Sequence, residues 1–351
     1  MIKICKMKRI ILILFLIVNV IVAISAPKNK KPILKFNEDG KFKIIQFTDI
    51  HFKYNSYRSD SALMMMKAAI EAEKPDLIVL TGDVVCTDRT RDAWYSLSKT
   101  FIESEVPWAV ILGNHDIESE LTGKQIMEIV SDFPNSLTEN GPEDISGAGN
   151  YILKIQGFKS SDPEAVLYFL DSHSGLKKED GLGRYEWIKS DQVEWYRNES
   201  KKLTAKNGGK PYPALAFFHI PLIEYNEVWG AKTTVGVKEE SVCSPDINSG
   251  MYNAFLESKD VMGMFVGHDH VNNYIGCLRG ICMAYGQSSG RETYGKPKGY
   301  RIIELYEGER KFDTWVQIKY NANRDKDTWK PTNSNERINF VTYPDSFAEK
   351  K

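Results

Sequence analysis

Five of the six histidines of this 351-residue chain lie in short motifs whose spacing is typical of metal ligands. The motifs are, in chain order, Asp49-Ile50-His51, Gly82-Asp83, Gly113-Asn114-His115-Asp116, the single His219 and Gly267-His268-Asp269-His270. Imidazole nitrogens and carboxylate oxygens bind transition metals, and an Asn amide oxygen can add a further ligand. Each motif alone is weak evidence, because Gly, Asn and Asp are also common in turns. The set together indicates a metal site.

The number of potential ligands indicates two metal ions. The candidates are Asp49, His51, Asp83, Asn114, His219, His268 and His270. One zinc ion takes about four ligands, so seven suit two ions that share a bridge, and the two oxygens of Asp83 or of a neighbour could supply it. Two ions ~3.5–4 Å apart can activate a bridging water for in-line attack and hold both the attacking and the leaving oxygen. Four histidines argue against magnesium and calcium and favour manganese, iron, zinc, cobalt or nickel.

The elements that must position these motifs follow from the apolar pattern. Buried strands are predicted directly before the five motifs, at residues 42–47, 77–80, 108–112, 214–218 and 261–266. Amphipathic patterns predict helices between the strands, chiefly at 60–73, 91–104 and 190–206. This alternation indicates a layered α/β fold, and no linker divides the chain into two domains. Because open α/β sheets place their sites beyond the carboxyl ends of the strands, we expect the five motifs to converge.

The N-terminal residues have the pattern of a secretory signal peptide. Basic residues precede an apolar run at 10–24, and small residues follow it at 23–26. The run is shorter than the ~20 residues of a membrane span. We therefore expect cleavage after residue 26, no stable membrane anchor in the mature protein, and a periplasmic or secreted location; the alternative is an uncleaved anchor. A lead-in at 27–41, a domain at 42–320 and a polar C-terminal extension at 321–351 would complete the chain.

Cysteine content and charge limit the partners. An exported protein can form disulfides, and Cys277 and Cys282 flank a predicted tight hairpin in which they could face each other. Cys86 and Cys243 could pair or remain free. With 46 basic and 47 acidic residues the net charge is −1, so the chain has no electrostatic surface for a nucleic-acid duplex. The sequence does not determine the oligomeric state.

In this order, the motifs resemble the calcineurin-like metallophosphoesterase family, whose pattern is Asp-x-His, Gly-Asp, Gly-Asn-His-(Glu/Asp), His and Gly-His-x-His. The resemblance covers about residues 42–320. The stretches 187–195 and 219–222 look like the exported, purple-acid-phosphatase-like branch. The resemblance implies a four-layered α/β/β/α sandwich with a dimetal site at the C-terminal ends of the strands.

The resemblance also implies a role for each site residue. Asp49, His51 and His270 would hold the first metal, Asn114, His219 and His268 the second, and Asp83 would bridge them. His115 would not be a ligand: it would stabilise the transition-state charge and protonate the leaving oxygen. Asn114 could also contact a phosphate oxygen.

Three positions qualify the resemblance. Cys86 stands where purple acid phosphatases carry a metal-bound Tyr, and His51 stands where they have Gly, so we expect an Asp-x-His type of site without tyrosinate colour. Asp116 replaces the commoner Glu, a change that we expect to affect hydrogen bonding around the ligands. His173 has no partner in the pattern, and a structural or pocket-lining role is expected for it.

The resulting functional prediction is a dimetal phosphomonoesterase acting on small phosphate esters. The alternative within the same chemistry is a phosphodiesterase for nucleotides or phospholipid headgroups, and the alternative of another class is a non-catalytic metal-binding scaffold. Residues 223–250 are expected to overhang the site. Residues that could bind a base, a sugar or a second phosphate are Tyr225, Trp229, Lys232, Arg58 and Arg184.

Overall fold

The computed structural model describes residues 31–295, 297–322, 329–331 and 336–344. The expected signal peptide at 1–26 lies outside the described residues. Within them, none of the helices combines the length and the apolar character needed to cross a membrane.

Fourteen strands in the described part form two sheets. They are β1 (Leu34–Lys35), β2 (Lys41–Phe47), β3 (Leu77–Thr81), β4 (Trp108–Ile111), β5 (Tyr151–Gln156), β6 (Pro163–Phe169), β7 (Ala214–Phe217), β8 (Val261–Val266), β9 (Ile275–Leu278), β10 (Ile281–Tyr285), β11 (Lys298–Tyr306), β12 (Phe312–Ala322), β13 (Trp329–Pro331) and β14 (Ile338–Tyr343). The β2 sheet has the order β13-β12-β11-β2-β3-β4, with β14 paired to β12. The β8 sheet has the order β1-β5-β6-β7-β8-β10-β9.

Helices cover both sheets. They are α1 (Tyr57–Glu73), α2 (Thr90–Ser104), α3 (Gly123–Ser131), α4 (Ser190–Lys206), α5 (Glu224–Trp229) and α6 (Met251–Ser258). Helix α1 packs against α2 and β2, and α6 packs against α4 and β8. The sheets face each other, since Gln46 Nε2 donates a hydrogen bond to Val266 O across the interface and the rings of Phe265 and Phe312 meet edge to face. The four-layered α/β/β/α sandwich is therefore confirmed.

Parallel pairing brings the strand ends together. Strands β2, β3 and β4 are parallel neighbours in one sheet, and β7 and β8 are parallel neighbours in the other. All residues of β3, β4, β7 and β8 are buried, as expected for parallel strands covered on both faces. The five motifs follow these strands, so the fold delivers them to one edge of the sandwich.

The segments on either side of 42–320 also supply strands. Strand β1, from the expected lead-in, pairs with β5, and β14, from the expected C-terminal extension, pairs with β12. The extension is polar in composition, yet Val341 and Tyr343 of β14 are buried. The predicted hairpin is confirmed as β9-β10, where Cys277 and Cys282 are cross-strand partners and form a disulfide.

Candidate metal centre

Asp83 lies at the centre of the converging loops. Its Oδ2 atom is 3.4 Å from His51 Nε2 and 3.3 Å from His219 Nε2. Its Oδ1 atom accepts a hydrogen bond of 2.9 Å from the backbone N–H of His115. One oxygen of this carboxylate thus faces imidazoles from both sheets, which is the position that a bridging ligand needs.

The predicted ligands form two groups that share Asp83. The first half-site consists of Asp49, His51, Asp83 and His270, and the second half-site of Asp83, His219 and His268. In each group the ligand atoms lie within 4.8 Å of one another, and all these residues except the partly exposed His51 are buried. The structure therefore brings six of the seven predicted ligands into two adjoining clusters that could each hold an ion.

Unpartnered polar atoms support a pair of cations at this position. Buried side-chain nitrogens and oxygens normally have hydrogen-bond partners. Four buried atoms of the predicted ligands lack one: His51 Nε2, Asn114 Oδ1, His219 Nε2 and His268 Nε2. Asn114, the seventh predicted ligand, is thus buried with its amide oxygen available. Leaving these atoms unsatisfied would be costly, and their donor set of imidazoles, carboxylates and an amide fits transition-metal ions.

The backbone at the ligands is held in an unusual conformation. Asp49, His51, Asp83 and His268 have positive φ angles of 51°, 47°, 50° and 78°. Residues other than Gly adopt this left-handed region at a cost, and such positions cluster at functional sites. Backbone hydrogen bonds from Asp49 N to Gly82 O and from His51 N to Asp83 O keep the loops in place. Gly82 itself is required, because a Cβ there would lie 2.4 Å from His219 Nδ1.

A second set of contacts orients the ligands. His219 Nδ1–H donates to Thr81 O at 2.8 Å, which leaves Nε2 for a metal. His270 Nδ1 contacts the hydroxyl of Thr293. Asp116 accepts hydrogen bonds from the backbone N–H groups of Val84, Val85 and Gly113, and so ties the loop of Asp83 to the loop of Asn114.

The electrostatics favour ionised carboxylates. Burial raises the pKa of Asp49 and Asp83, but the facing histidines outweigh it: the pKa of Asp49 falls to about 2, and that of Asp83 lies well below its usual value. Burial lowers the pKa of His268 to about 3, so this ring is neutral and can coordinate. Burial also opposes the charge on His219, but the carboxylate of Asp83 raises its pKa to about 10.

His115 lies on the open side of the centre. Its ring centroid is 5.4 Å from that of His51, and its Nδ1 is 2.8 Å from Glu118 Oε2. Its side chain is 42% exposed. Burial lowers the pKa of His115, but the negative charges of Asp83 and Glu118 outweigh this and raise it overall. A protonated imidazole beside the centre is what a general acid requires.

Two tyrosine rings border the half-sites. Tyr294 lies against His270 with ring centroids 4.2 Å apart, and Tyr185 meets His268 edge to face at 4.6 Å. The hydroxyl of Tyr294 donates to Glu240, whose other oxygen accepts from the N–H of Val271. Sequence reasoning missed these tyrosines, Thr293 and Glu240, since none of them follows a ligand strand. Glu118 could have been found from the sequence, because it follows His115 by only three residues.

Other predicted residues belong to neither half-site. The hydroxyl of Tyr225 donates to Met264 O inside the core, so its predicted contact with substrate is wrong. Trp229 packs on Tyr274. His173 Nε2 is 2.6 Å from Gln192 Oε1, and the residue lines a cavity of about 400 Å³. Cys86 belongs to neither half-site, and burial raises its pKa, so it is a neutral thiol.

Comparison with known proteins adds independent findings. The model of the family described as calcineurin-like phosphoesterase matches residues 42–272. The chain is 37% identical to "Probable inactive purple acid phosphatase 14" of Arabidopsis thaliana, over 79% of this chain and 77% of that protein. It is 34% identical to "Phosphatase DCR2" of Saccharomyces cerevisiae, over 81% of this chain and 55% of that protein. Its fold is similar to a dimetal phosphatase from Danio rerio, with a TM-score of 0.54, 13% identity, and coverage of 86% of this chain and 98% of that one.

Proposed function

Because the chain belongs to the calcineurin-like phosphoesterase family, we propose that it hydrolyses phosphate esters, chiefly phosphomonoesters, at the cluster centred on Asp83. The observation that carries the proposal is the pair of half-sites sharing Asp83, together with four buried ligand atoms that have no hydrogen-bond partner. A small phosphate ester is the expected substrate.

Two transition-metal ions, from manganese, iron, zinc, cobalt and nickel, would occupy the site. Their ligands would be Asp49, His51, Asp83 and His270 for the first ion, and Asp83, Asn114, His219 and His268 for the second. When bound, such a pair supplies an activated water and two positive charges that hold the phosphate oxygens. The chain contributes the geometry: two carboxylates fixed in ionised form and imidazoles whose second nitrogen is already engaged by Thr81 or Thr293.

His115 supplies the proton. Its ring adjoins the first half-site, and Glu118 keeps one ring nitrogen oriented and favours the charged form. The imidazolium would stabilise the charge that develops on the phosphate and then protonate the leaving alkoxide. The reaction needs the protonated ring, so hydrolysis is expected to slow as the pH rises through the pKa of His115.

The names of the plant relatives raise the alternative of an inactive scaffold. A non-catalytic scaffold requires neither a complete set of ligands nor a general acid, whereas here the seven predicted ligands are all present and buried or nearly so, and His115 adjoins them. That retention supports an active hydrolase. The named phosphatase from yeast, at 34% identity, also favours activity.

The test is to strip the protein of metals, add back each of the five metals, and measure bound metal and hydrolysis together. We expect two ions per chain and turnover of p-nitrophenyl phosphate faster than of bis-p-nitrophenyl phosphate. Asp83→Asn should abolish both metal binding and turnover, while the matched change Asp60→Asn, at an exposed position of α1, should alter neither. A faster diester would favour the phosphodiesterase alternative, and two bound ions without any turnover would favour the scaffold.

Export through the predicted signal is part of the proposal. N-terminal sequencing of the protein from its native compartment should find Pro27 as the first residue. A chain that retains residues 1–26 in the membrane would contradict cleavage and favour the anchored alternative.

A further inference from the structure

We propose that Arg184 binds a second anionic group of the substrate, so that the preferred substrates are phosphate esters whose alcohol portion carries a carboxylate or a further phosphate. The inference rests on the proposed hydrolysis of phosphate esters and adds the substrate class. It arises from the segment 184–186, which follows no ligand strand but reaches the second half-site.

Backbone hydrogen bonds hold the segment beside the centre. Gly175 and Tyr185 form an antiparallel bridge, with hydrogen bonds of 2.8 Å from Leu176 N to Arg184 O and from Glu186 N to Ser174 O. Ser174 Oγ in turn donates to the carbonyl of Asn114 at 3.4 Å. The position of the segment is therefore tied to the loop that carries a predicted ligand.

Tyr185 connects Arg184 to the second half-site. The ring of Tyr185 meets the ring of His268 edge to face at 4.6 Å, with an interplanar angle of 85°. The guanidinium of Arg184 lies 5.3 Å from the centroid of the same ring, and its Nη2 is 3.4 Å from the tyrosine hydroxyl. The guanidinium and the imidazole of His268 thus contact the same tyrosine ring, which brings both within reach of one small molecule.

The charge of Arg184 is available. Three other exposed arginines form ion pairs: Arg89 with Asp92, Arg197 with Glu257 and Arg279 with Glu227. Arg184 is exposed too, but no carboxylate of the described residues lies within ion-pair distance of it.

The guanidinium of Arg184 is suited to bind an anion. A guanidinium can form paired hydrogen bonds with a carboxylate or a phosphate. Beside a phosphoester site, an arginine stacked on tyrosine and lacking an acidic partner is suited to an anion that the substrate brings.

The test compares two substrates that differ by one charge, glycerol 2-phosphate and 2-phosphoglycerate. We expect the metal-loaded wild-type protein to have a higher kcat/KM for 2-phosphoglycerate, chiefly through a lower KM. Arg184→Gln should remove about tenfold of that preference and leave glycerol 2-phosphate almost unchanged, because a hydrogen-bonded charge pair contributes on this scale. Arg184→Lys should restore part of it, and Arg197→Gln, the matched exposed control on α4, should have no effect.

Binding of phosphonates provides a readout that does not depend on turnover. Calorimetry should find 3-phosphonopropionate bound more tightly than propylphosphonate by the wild type and equally by Arg184→Gln. Equal losses for both substrates in Arg184→Gln, or no preference in the wild type, would overturn the proposal. If the wild type instead prefers esters of aromatic alcohols to 2-phosphoglycerate, the proposal is overturned, and stacking of the substrate on Tyr185 is favoured. If neither ester is hydrolysed but the phosphonate difference persists, the proposed function fails and the anion site stands.

Discussion

The two half-sites share Asp83 but differ in charge and in exposure. The first contains a second carboxylate, Asp49, and its His51 side chain is 13% exposed. The second contains no carboxylate of its own among its grouped residues, and its His219 is fully buried. The first is therefore the more negative and more accessible site, and the second is enclosed and has the bridging Asp83 as the only carboxylate of its group.

This difference predicts that the two half-sites retain their metal ions to different degrees. Two ionised carboxylates bind a cation more strongly than one shared carboxylate with imidazole ligands, and His219, whose pKa is raised to about 10, must also lose a proton to bind a metal. The first half-site should therefore retain its ion longer. The enclosed second half-site should depend on the bridge to keep its ion. A chelator titration followed by metal analysis should therefore find loss in two steps, and simultaneous loss would break the comparison.

Among changes confined to one half-site, removal of a ligand from the second should have the largest effect. His268→Asn keeps a residue that tolerates the left-handed backbone at this position, but its shorter side chain cannot replace the ring. We expect one ion per chain and a loss of about a thousandfold in kcat, because one of the two metal ions that would hold the phosphate oxygens is lost. Metal analysis and steady-state kinetics measure both. Retention of two ions would show that His268 is not a ligand.

His115 should separate catalysis from metal binding. His115→Ala is expected to keep both ions, since the imidazole belongs to neither half-site. Hydrolysis of alkyl phosphates should fall about a hundredfold, and that of p-nitrophenyl phosphate much less, because nitrophenolate leaves without a proton. Equal rates for wild type and variant on every ester would refute the acid role.

The contacts that orient the histidines differ between the half-sites, and their removal should have a smaller effect, confined to one half-site. His219 is held by a backbone carbonyl, which no substitution removes, but His270 is held by the hydroxyl of Thr293. Thr293→Val preserves the shape of the side chain. It should lower the metal affinity of the first half-site about tenfold and leave that of the second unchanged. Competition with a metal-binding dye resolves the two affinities. A loss at the second half-site instead would contradict the assignment.

The motif-bearing strands were predictable because each is an apolar run that ends abruptly at a polar ligand. Strand β8 and helix α4 have the expected bounds, 261–266 and 190–206. Parallel strands that deliver ligands to one edge follow from general topology, so convergence of the motifs was predictable too.

What could not be predicted depends on packing between distant segments. Thr293 and Tyr294 reach His270, and Tyr185 reaches His268, through loops that carry no spacing pattern. The aromatic Tyr225 looked like a substrate contact, yet the fold buries it between strands. Helix α3 was missed although the sequence carries its signals, an apolar face of Ile126, Met127 and Val130 and a capping box between Thr122 and Gln125.

Glu118 gives the finest test of the open side of the centre. Its carboxylate contacts His115 and contributes to the raised pKa of that ring. Glu118→Gln should lower the pKa of His115, and since the acid must be protonated, activity should begin to decline at a lower pH than in the wild type. The shift should be small, because the Glu118 side chain is 60% exposed and solvent screens the pair.

The alkaline limb of the kcat profile for an alkyl phosphate measures this effect. Glu128→Gln, an exposed change on α3, serves as the control and should leave the profile in place. The metal content should stay at two ions in both variants, so that any change belongs to the proton and not to the ions. A limb that moves to higher pH would mean that the titrating group is not an acid next to Glu118, and His115 would lose its assigned role.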